Sequence, residues 1–231
     1  VPIGKLIAID GFSSDRTLEI LERFNSKYGN VSLIRMHGSR AKARTEGIKH
    51  VSTEWFMFVD SDVVLCRNWF KKAQADLTNG IGAVWGLNID VIPNVKNKYA
   101  IKLQSIVART CFHLRGGMHD TLILHKSVAG IKIPEQLHAY EDAFIVQWIN
   151  DHGYKAIVGS HVYCLHHKAP DNWNLKNGIS QAIIELKCGL VYSHLFEYMI
   201  FYPVFFFYWS LQLPLSGFRN TSTRQSKPQM V

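Results

Sequence analysis

Short apolar runs alternate along this chain with stretches whose apolar positions keep helical spacing. Leu6-Ile7-Ala8-Ile9 is a compact run ending at Asp10, the pattern of a buried strand. Gly11 to Asp15 reads as a turn, with Ser14 or Asp15 placed to cap a following helix. Leu18, Leu21, Phe24 and Tyr28 repeat at three- and four-residue intervals, and Gly29-Asn30 stops the helix. Val31 to Ile34 predicts a second strand and Ala41 to Val51 a second helix. Trp55-Phe56-Met57-Phe58-Val59 then places five large apolar residues in succession, which suits a strand buried on both faces of a parallel sheet.

Further along, residues 82–89 and 121–124 read as strands, and Glu141 to Asn150 as a helix with Phe144, Ile145 and Trp148 on one side. Ala156-Ile157-Val158 and His161 to Leu165 read as two late strands. Gly116-Gly117 is a turn or a close-approach site. Strand, helix, strand, helix, strand at this spacing predicts an α/β fold with a mostly parallel sheet and right-handed crossovers. Asp10 and Asp60 are then expected at the same, carboxyl, edge of that sheet, where open α/β folds bind ligands.

Composition narrows the class. Apolar content of 47% and aromatic content of 12% describe a globular chain with a packed core. The net charge of +8, from 26 basic and 18 acidic residues, favours an anionic partner. No Lys/Arg run interleaves with aromatics, so nucleic acid is not the expected partner. Cys66, Cys111, Cys164 and Cys188 are widely spaced without a C-x-x-C, as expected of reduced structural cysteines in a cytoplasmic protein.

Asp60-Ser61-Asp62 follows the most apolar run directly. Two carboxylates one residue apart on a turn can share a hard divalent cation; the bland alternative is an acidic turn after a core strand. Glu141 and Asp142 open a helix, where the dipole alone would favour acids. Residues 35–49 hold five basic residues against Glu46, suited to a doubly anionic ligand or to a solvated helix face.

Taken together these segments resemble the family 2 glycosyltransferases of the GT-A fold. Asp10-Gly11-Phe12-Ser13-Ser14-Asp15-Arg16-Thr17 resembles their acid followed by S-x-D-x-T. Ala43-Arg44-Thr45-Glu46-Gly47 resembles A-R-N-x-G, with Thr for Asn. Asp60-Ser61-Asp62 resembles their metal motif, Tyr140-Glu141-Asp142 with Trp148 and Gly153-Tyr154 their E-D motif and helix, and Leu165-His166-His167 their late histidine segment. The likeness spans about residues 5 to 170 and lies in the order of five motifs. Family members carry one more strand and helix ahead of the S-x-D-x-T strand. By resemblance the chain is therefore N-terminally incomplete, either truncated or lacking part of its donor site.

The resemblance implies sugar transfer from a nucleoside-diphosphate sugar to an acceptor hydroxyl, with inversion and a divalent cation, Mg or Mn. It implies metal ligation by Asp62 with Asp60, completed by His166 or His167. Adjacent strand residues point to opposite faces, so one histidine of the pair faces the site, and His166 is preferred. Asp10, Ser14, Asp15, Arg44 and Asp60 would bind the nucleotide. Asp142 would be the general base, with Glu141 orienting it or binding the acceptor, which is a glycan, a lipid-linked or a small molecule. A catalytically degenerate GT-A domain serving as a membrane-associated scaffold is the alternative. A nucleotidyltransferase lacks support, because no Gly-rich signature follows the first strand.

Near Gly178 the composition shifts. Residues 1–177 are expected to form the GT-A-like domain and 178–231 an amphipathic, then apolar, extension with a basic tail. Residues 198–218 carry no charge and many aromatics. Pro203, Pro214, Ser210 and Gln212 disfavour a spanning helix, so an in-plane or re-entrant anchor at the cytoplasmic membrane face is expected, ahead of a hydrophobic arm packed on the domain or a partner.

Overall fold

The computed structural model describes residues 3–91, 119–137, 141–167, 188 and 190. The chain divides into two compact units, Val1–Leu190 and Val191–Val231. All described residues belong to the first. Cys111, Gly116-Gly117, the boundary at 177/178 and the segment 198–218 lie outside the described residues. No helix among the described residues is long and apolar enough to cross a membrane.

Elements follow in the order β1 (Leu6–Asp10), α1 (Thr17–Tyr28), β2 (Val31–Arg35), α2 (Arg40–Lys49), β3 (Trp55–Val59), β4 (Val63–Leu65), α3 (Trp69–Ala73), β5 (Ile81–Asp90), β6 (Asp120–Leu124), α4 (Glu141–Asp151) and β7 (Lys155–His166). The helices start and stop for local reasons. Ser39 accepts from the Lys42 amide at 3.2 Å and caps α2. Gly29 closes α1 at φ 67°, donating to the Asn25 carbonyl. Asp15 precedes the first turn of α1 but still takes the Thr17 amide at 2.9 Å, and Arg16 occupies the N-cap position without a side-chain bond.

The fold class stands, but the sheet is mixed and divided. β1 and β2 pair in parallel as a two-stranded sheet. The second sheet has the order β3-β6-β5-β7-β4. Within it only β5 and β7 run parallel; the β3–β6, β5–β6 and β4–β7 pairs are antiparallel. The expectation that β1 and β3 share one parallel sheet is therefore corrected. Among the described residues β1 pairs only with β2, and β3 only with β6. β3 is consequently half-buried rather than enclosed on both faces, and Val59 at its end is 51% exposed. A run of large apolar residues does not distinguish an enclosed strand from one at a sheet edge.

The two predicted late strands are one long strand, β7, whose register against β5 slips between Trp85 and Leu87. Gly86 alone on β5 faces four residues, Gly159 to Val162, on β7 there, a bulge. Ser160 within it donates to Asp76 at 2.7 Å.

The main core joins Ala83 and Trp85 of β5 and Ile123 of β6 with Ile145, Val146 and Ile149 of α4, and with Ala41 and Ile48 of α2. Leu190, assigned by composition to the extension, is buried in this core. A second cluster packs Trp69 and Ala73 of α3 against Val84, Leu122 and Val162. By contrast α1 buries no residue. Leu18 and Leu21 are half-buried, while Phe24 and Tyr28, expected on its inner face, are exposed.

Candidate active site

Strand register assembles the site. Val59 opposite Asp120 sets the residue before β6, His119, beside Asp60, and the Asp60 amide donates to the His119 carbonyl at 3.1 Å. Val63 opposite His166 sets the Asp60–Asp62 turn against the end of β7. Asn88, on the neighbouring β5, lies beside that end. From the other side, α2 contributes Arg44 and α4 contributes Glu141 and Asp142.

A continuous line of contacts results. Arg44 donates from Nε to Glu141 Oε1 at 3.1 Å and from Nη2 to Asp60 Oδ1 at 3.2 Å, while its guanidinium lies 4.8 Å over the Phe58 ring. His119 donates from Nδ1 to Asp60 Oδ2 at 2.7 Å. The His119 and His166 rings lie 4.5 Å apart. His166 Nε2 lies 3.2 Å from Asp62 Oδ2, and its Nδ1 lies 3.4 Å from Asn88 Nδ2. Five of the ten residues named from sequence thus meet, Arg44, Asp60, Asp62, Glu141 and His166; Asp142, next to Glu141, bonds the Ala143 amide and feels the charges of Arg44 and His119.

Electrostatics distinguish the members. Burial of the Asp142 carboxyl, with Glu141 beside it, raises its pKa to about 6. Burial acts upward on Asp60 as well, but the bond from His119 and the charge of Arg44 outweigh it and hold its pKa below the usual value. For His119 burial opposes protonation; the bond to Asp60 and the charges of Asp60 and Asp142 prevail and raise its pKa.

His167 is exposed, and its backbone amide donates to the Asp62 carbonyl at 2.7 Å. Asp10, Ser14 and Asp15 belong to a separate group at the ends of β1 and β2. Asp10 accepts from the Ser13 amide at 3.1 Å and from Arg35 Nε at 3.1 Å. Its side chain is only 2% exposed. The Ser13 bonds, joined by Arg35 and opposed by burial, lower its pKa. Asp15 is engaged with Thr17, which lowers its pKa too, and Ser14 is exposed. A cleft of about 470 Å³ between α2 and residues 130–135 contains none of the ten residues.

The sequence reading missed His119 and Asp120. Asp120 is 1% exposed and accepts from Trp69 Nε1 at 2.8 Å and from the Gly86 amide at 3.1 Å. Burial raises its pKa to about 6 against those two bonds. Gly86 is required there, since a Cβ would overlap the Asp120 carboxylate. A His-Asp pair opening an apolar run was the available signal for both.

Asp60 and Asp62 offer carboxylate oxygens and His166 an imidazole nitrogen, a donor set that suits Mn²⁺ better than Mg²⁺. Asp62 lies against His166 and Asp60 is bonded to His119, and no cluster of three or more His, Cys, Asp or Glu in metal-holding geometry occurs among the described residues.

Known proteins bear on this arrangement. The profile of "Glycosyl transferase family 2" matches residues 5–126. A poly(ribitol-phosphate) beta-glucosyltransferase of Bacillus spizizenii is 31% identical over 99 residues, 38% of this chain and 15% of that protein. The mannosyltransferase PcManGT of Pyrobaculum calidifontis, solved with GDP-Man and Mn²⁺, superposes with a TM-score of 0.52 at 15% identity, over 73% of this chain and 49% of that one. GalNAc-T7, solved with UDP, GalNAc and Mn²⁺, gives 0.53 at 14% identity, over 74% and 39%. The chain therefore spans about half or less of the length of each. The two solved structures establish the GT-A fold, and the profile match over more than half of the sequence establishes the family: this chain belongs to glycosyl transferase family 2.

Proposed function

We propose that this chain is the catalytic domain of a glycosyltransferase that moves a sugar from a nucleoside diphosphate to an acceptor hydroxyl with inversion. The observation that carries the reading is the line of contacts from Glu141 through Arg44, Asp60 and His119 to His166 and Asp62. Its bonded partners lie up to 104 residues apart in sequence.

Asp142 is the general base. An ordinary aspartate is a weak base at neutral pH, whereas one with a pKa near 6 is closer to the ideal for proton abstraction. As the acceptor oxygen bonds to the anomeric carbon, the hydroxyl proton passes to the Asp142 carboxylate. The anomeric carbon–oxygen bond breaks on the opposite face, and its electron pair leaves with the diphosphate. Glu141 and Asp60 are held by Arg44, which therefore acts as a fastener between α2, α4 and the acidic turn. Asp60, Asp62 and His166 would hold a divalent cation, which when bound supplies a positive charge for the departing diphosphate.

The net charge of +8 suits an anionic acceptor, and the poly(ribitol phosphate) in the relative's name is one such chemistry. Residues 198–218 remain our candidate for peripheral membrane contact.

Donor screening by released nucleotide, with and without chelator, tests the reading. UDP- or GDP-sugar with Mn²⁺ should raise the melting temperature, and Asp62→Ala should abolish the rise. No stabilisation by either donor, together with no nucleotide release, refutes it.

A further inference from the structure

The Asp120 carboxylate ties β6 to α3 and to β5. It is essentially inaccessible, with Oδ2 accepting from Trp69 Nε1 at 2.8 Å and Oδ1 from the Gly86 amide at 3.1 Å. The Cys164 thiol hydrogen-bonds it as well. Donors converge on both oxygens, so the place calls for a group that only accepts. Asparagine would turn an N–H₂ group toward one of the N–H donors, and an apolar residue would leave both donors buried without a partner. Gly86 leaves room for the contact, since a Cβ there would overlap Asp120 Oδ2. Its amide meets the carboxylate where the pairing of β5 with β6 and β7 passes over Gly86.

The same carboxylate stands between the two ends of the acidic turn. Asp120 lies opposite Val59, so the residue before it, His119, meets Asp60. The Asp60 amide donates to the His119 carbonyl at 3.1 Å, and His119 Nδ1 bonds Asp60 Oδ2 at 2.7 Å. On the other side Trp69 opens α3, which follows Asp62 through the short strand β4. The Trp69 amide donates to the Cys66 carbonyl at 3.1 Å, and its side chain is buried. Burial opposes ionisation of Asp120, a cost that packing β6 onto α3 would not by itself require.

We propose that Asp120 is a positioning residue, which holds His119 against Asp60 and braces the acidic turn by gathering the Trp69 indole and the Gly86 amide around one buried carboxylate. The proposal rests on the glycosyltransferase reading and deepens it. Asp120 touches neither donor nor acceptor and acts through His119.

Amide exchange in the metal-free protein and melting against Mn²⁺ concentration test this together. Asp120→Asn should speed exchange of the Asp60 amide about tenfold or more. It should also raise the Mn²⁺ concentration for half-maximal stabilisation about tenfold, as loss of an outer partner does. Ile149→Val removes one methylene from the core beneath α4; it should lower the melting temperature and leave both readings at wild-type values. His119→Ala combined with Asp120→Asn should need no more Mn²⁺ than His119→Ala alone, because one residue acts through the other. Gly86→Ala, which displaces the carboxylate, and Trp69→Phe, which removes one donor, should shift both readings in the same direction; if Asp120→Asn does not fold, these two decide. Asp60 exchange unchanged in the cluster variants, or accelerated equally by Ile149→Val, overturns the proposal. So does a Mn²⁺ requirement that multiplies in the double variant. Wild-type melting that ignores Mn²⁺, with and without UDP or GDP, overturns the metal-assisted reading instead, and Asp60 exchange then decides alone whether Asp120 places His119.

Discussion

Asp142 illustrates how a single side chain can be costly to the fold and useful to the site. Burial and the neighbouring Glu141 raise its pKa from the ordinary 3.8 to about 6. Between those values the folded chain holds the proton more tightly than the unfolded chain, so stability falls as pH rises through the window. Above about pH 6 the full cost of the ionised carboxyl is present. Asp142→Asn should therefore raise the melting temperature near pH 7.5, by roughly 4 °C for a stability gain on the order of 1–2 kcal/mol, with the gain vanishing toward pH 4. Transfer should fall at least about 100-fold in the same variant. Melts across that pH range decide the matter, and a gain independent of pH would rule out the titration.

His119 poses the complementary case. Its Nδ1 bonds Asp60, and its ring lies tilted 4.5 Å from that of His166, so it links the two acids of the turn without being one. Removing such an outer partner typically weakens metal binding about 10- to 100-fold. His119→Ala should raise the Mn²⁺ concentration needed for thermal stabilisation by about tenfold. His119→Asn, whose side-chain amide donates from a similar position, should recover most of it. Equal Mn²⁺ dependence in all three proteins would reduce His119 to a packing residue.

Among the elements, α2 does most to join separate parts of the molecule. One face gives Ala41 and Ile48 to the core, and Arg44 reaches from it to Glu141 on α4 and to Asp60 after β3. The Glu141 side chain is 4% exposed, so removing Arg44 strands a buried carboxylate. Arg44→Ala should cost about 3–5 kcal/mol, read as a lower denaturant midpoint with an unchanged slope. Arg44→Lys has one ammonium where two directed bonds are needed and should fall between. A loss below about 1 kcal/mol in the alanine variant would show that Arg44 is not the fastener described.

The same elements show what sequence conveys and what it withholds. Helical spacing and caps located α1, α2 and α4 to within two residues, because those signals are local. Motif order brought Arg44, Asp60, Asp62, Glu141, Asp142 and His166 into one list before any contact was known. Sheet pairing was not legible. β3 and β7 read as apolar strands in either orientation, and only their partners distinguish parallel from antiparallel. His119 escaped notice because its importance comes from the Val59–Asp120 register, which no short window contains. Asp10 shows the same limit: an acid at a strand end gives no sign in sequence of its bonds to Ser13 and Arg35.

At the scale of the whole molecule the two sheets differ in how firmly they are held. β5, β6 and β7 pack against α4 on one side and α3 on the other, with Val84, Ile123, Ile145, Ile149 and Val162 essentially inaccessible. β1 and β2 have one partner each among the described residues, and α1 beside them buries nothing. Ile20, Phe24, Tyr28 and Leu33 remain exposed there. Regions with few buried apolar contacts open at lower free energy than the core. Backbone amides of β1 and β2 should accordingly exchange with solvent about 100-fold faster than those of β5 and β7, since a gap of about 2.7 kcal/mol in opening free energy gives that ratio. Equal protection of the two sheets would contradict this division of stability.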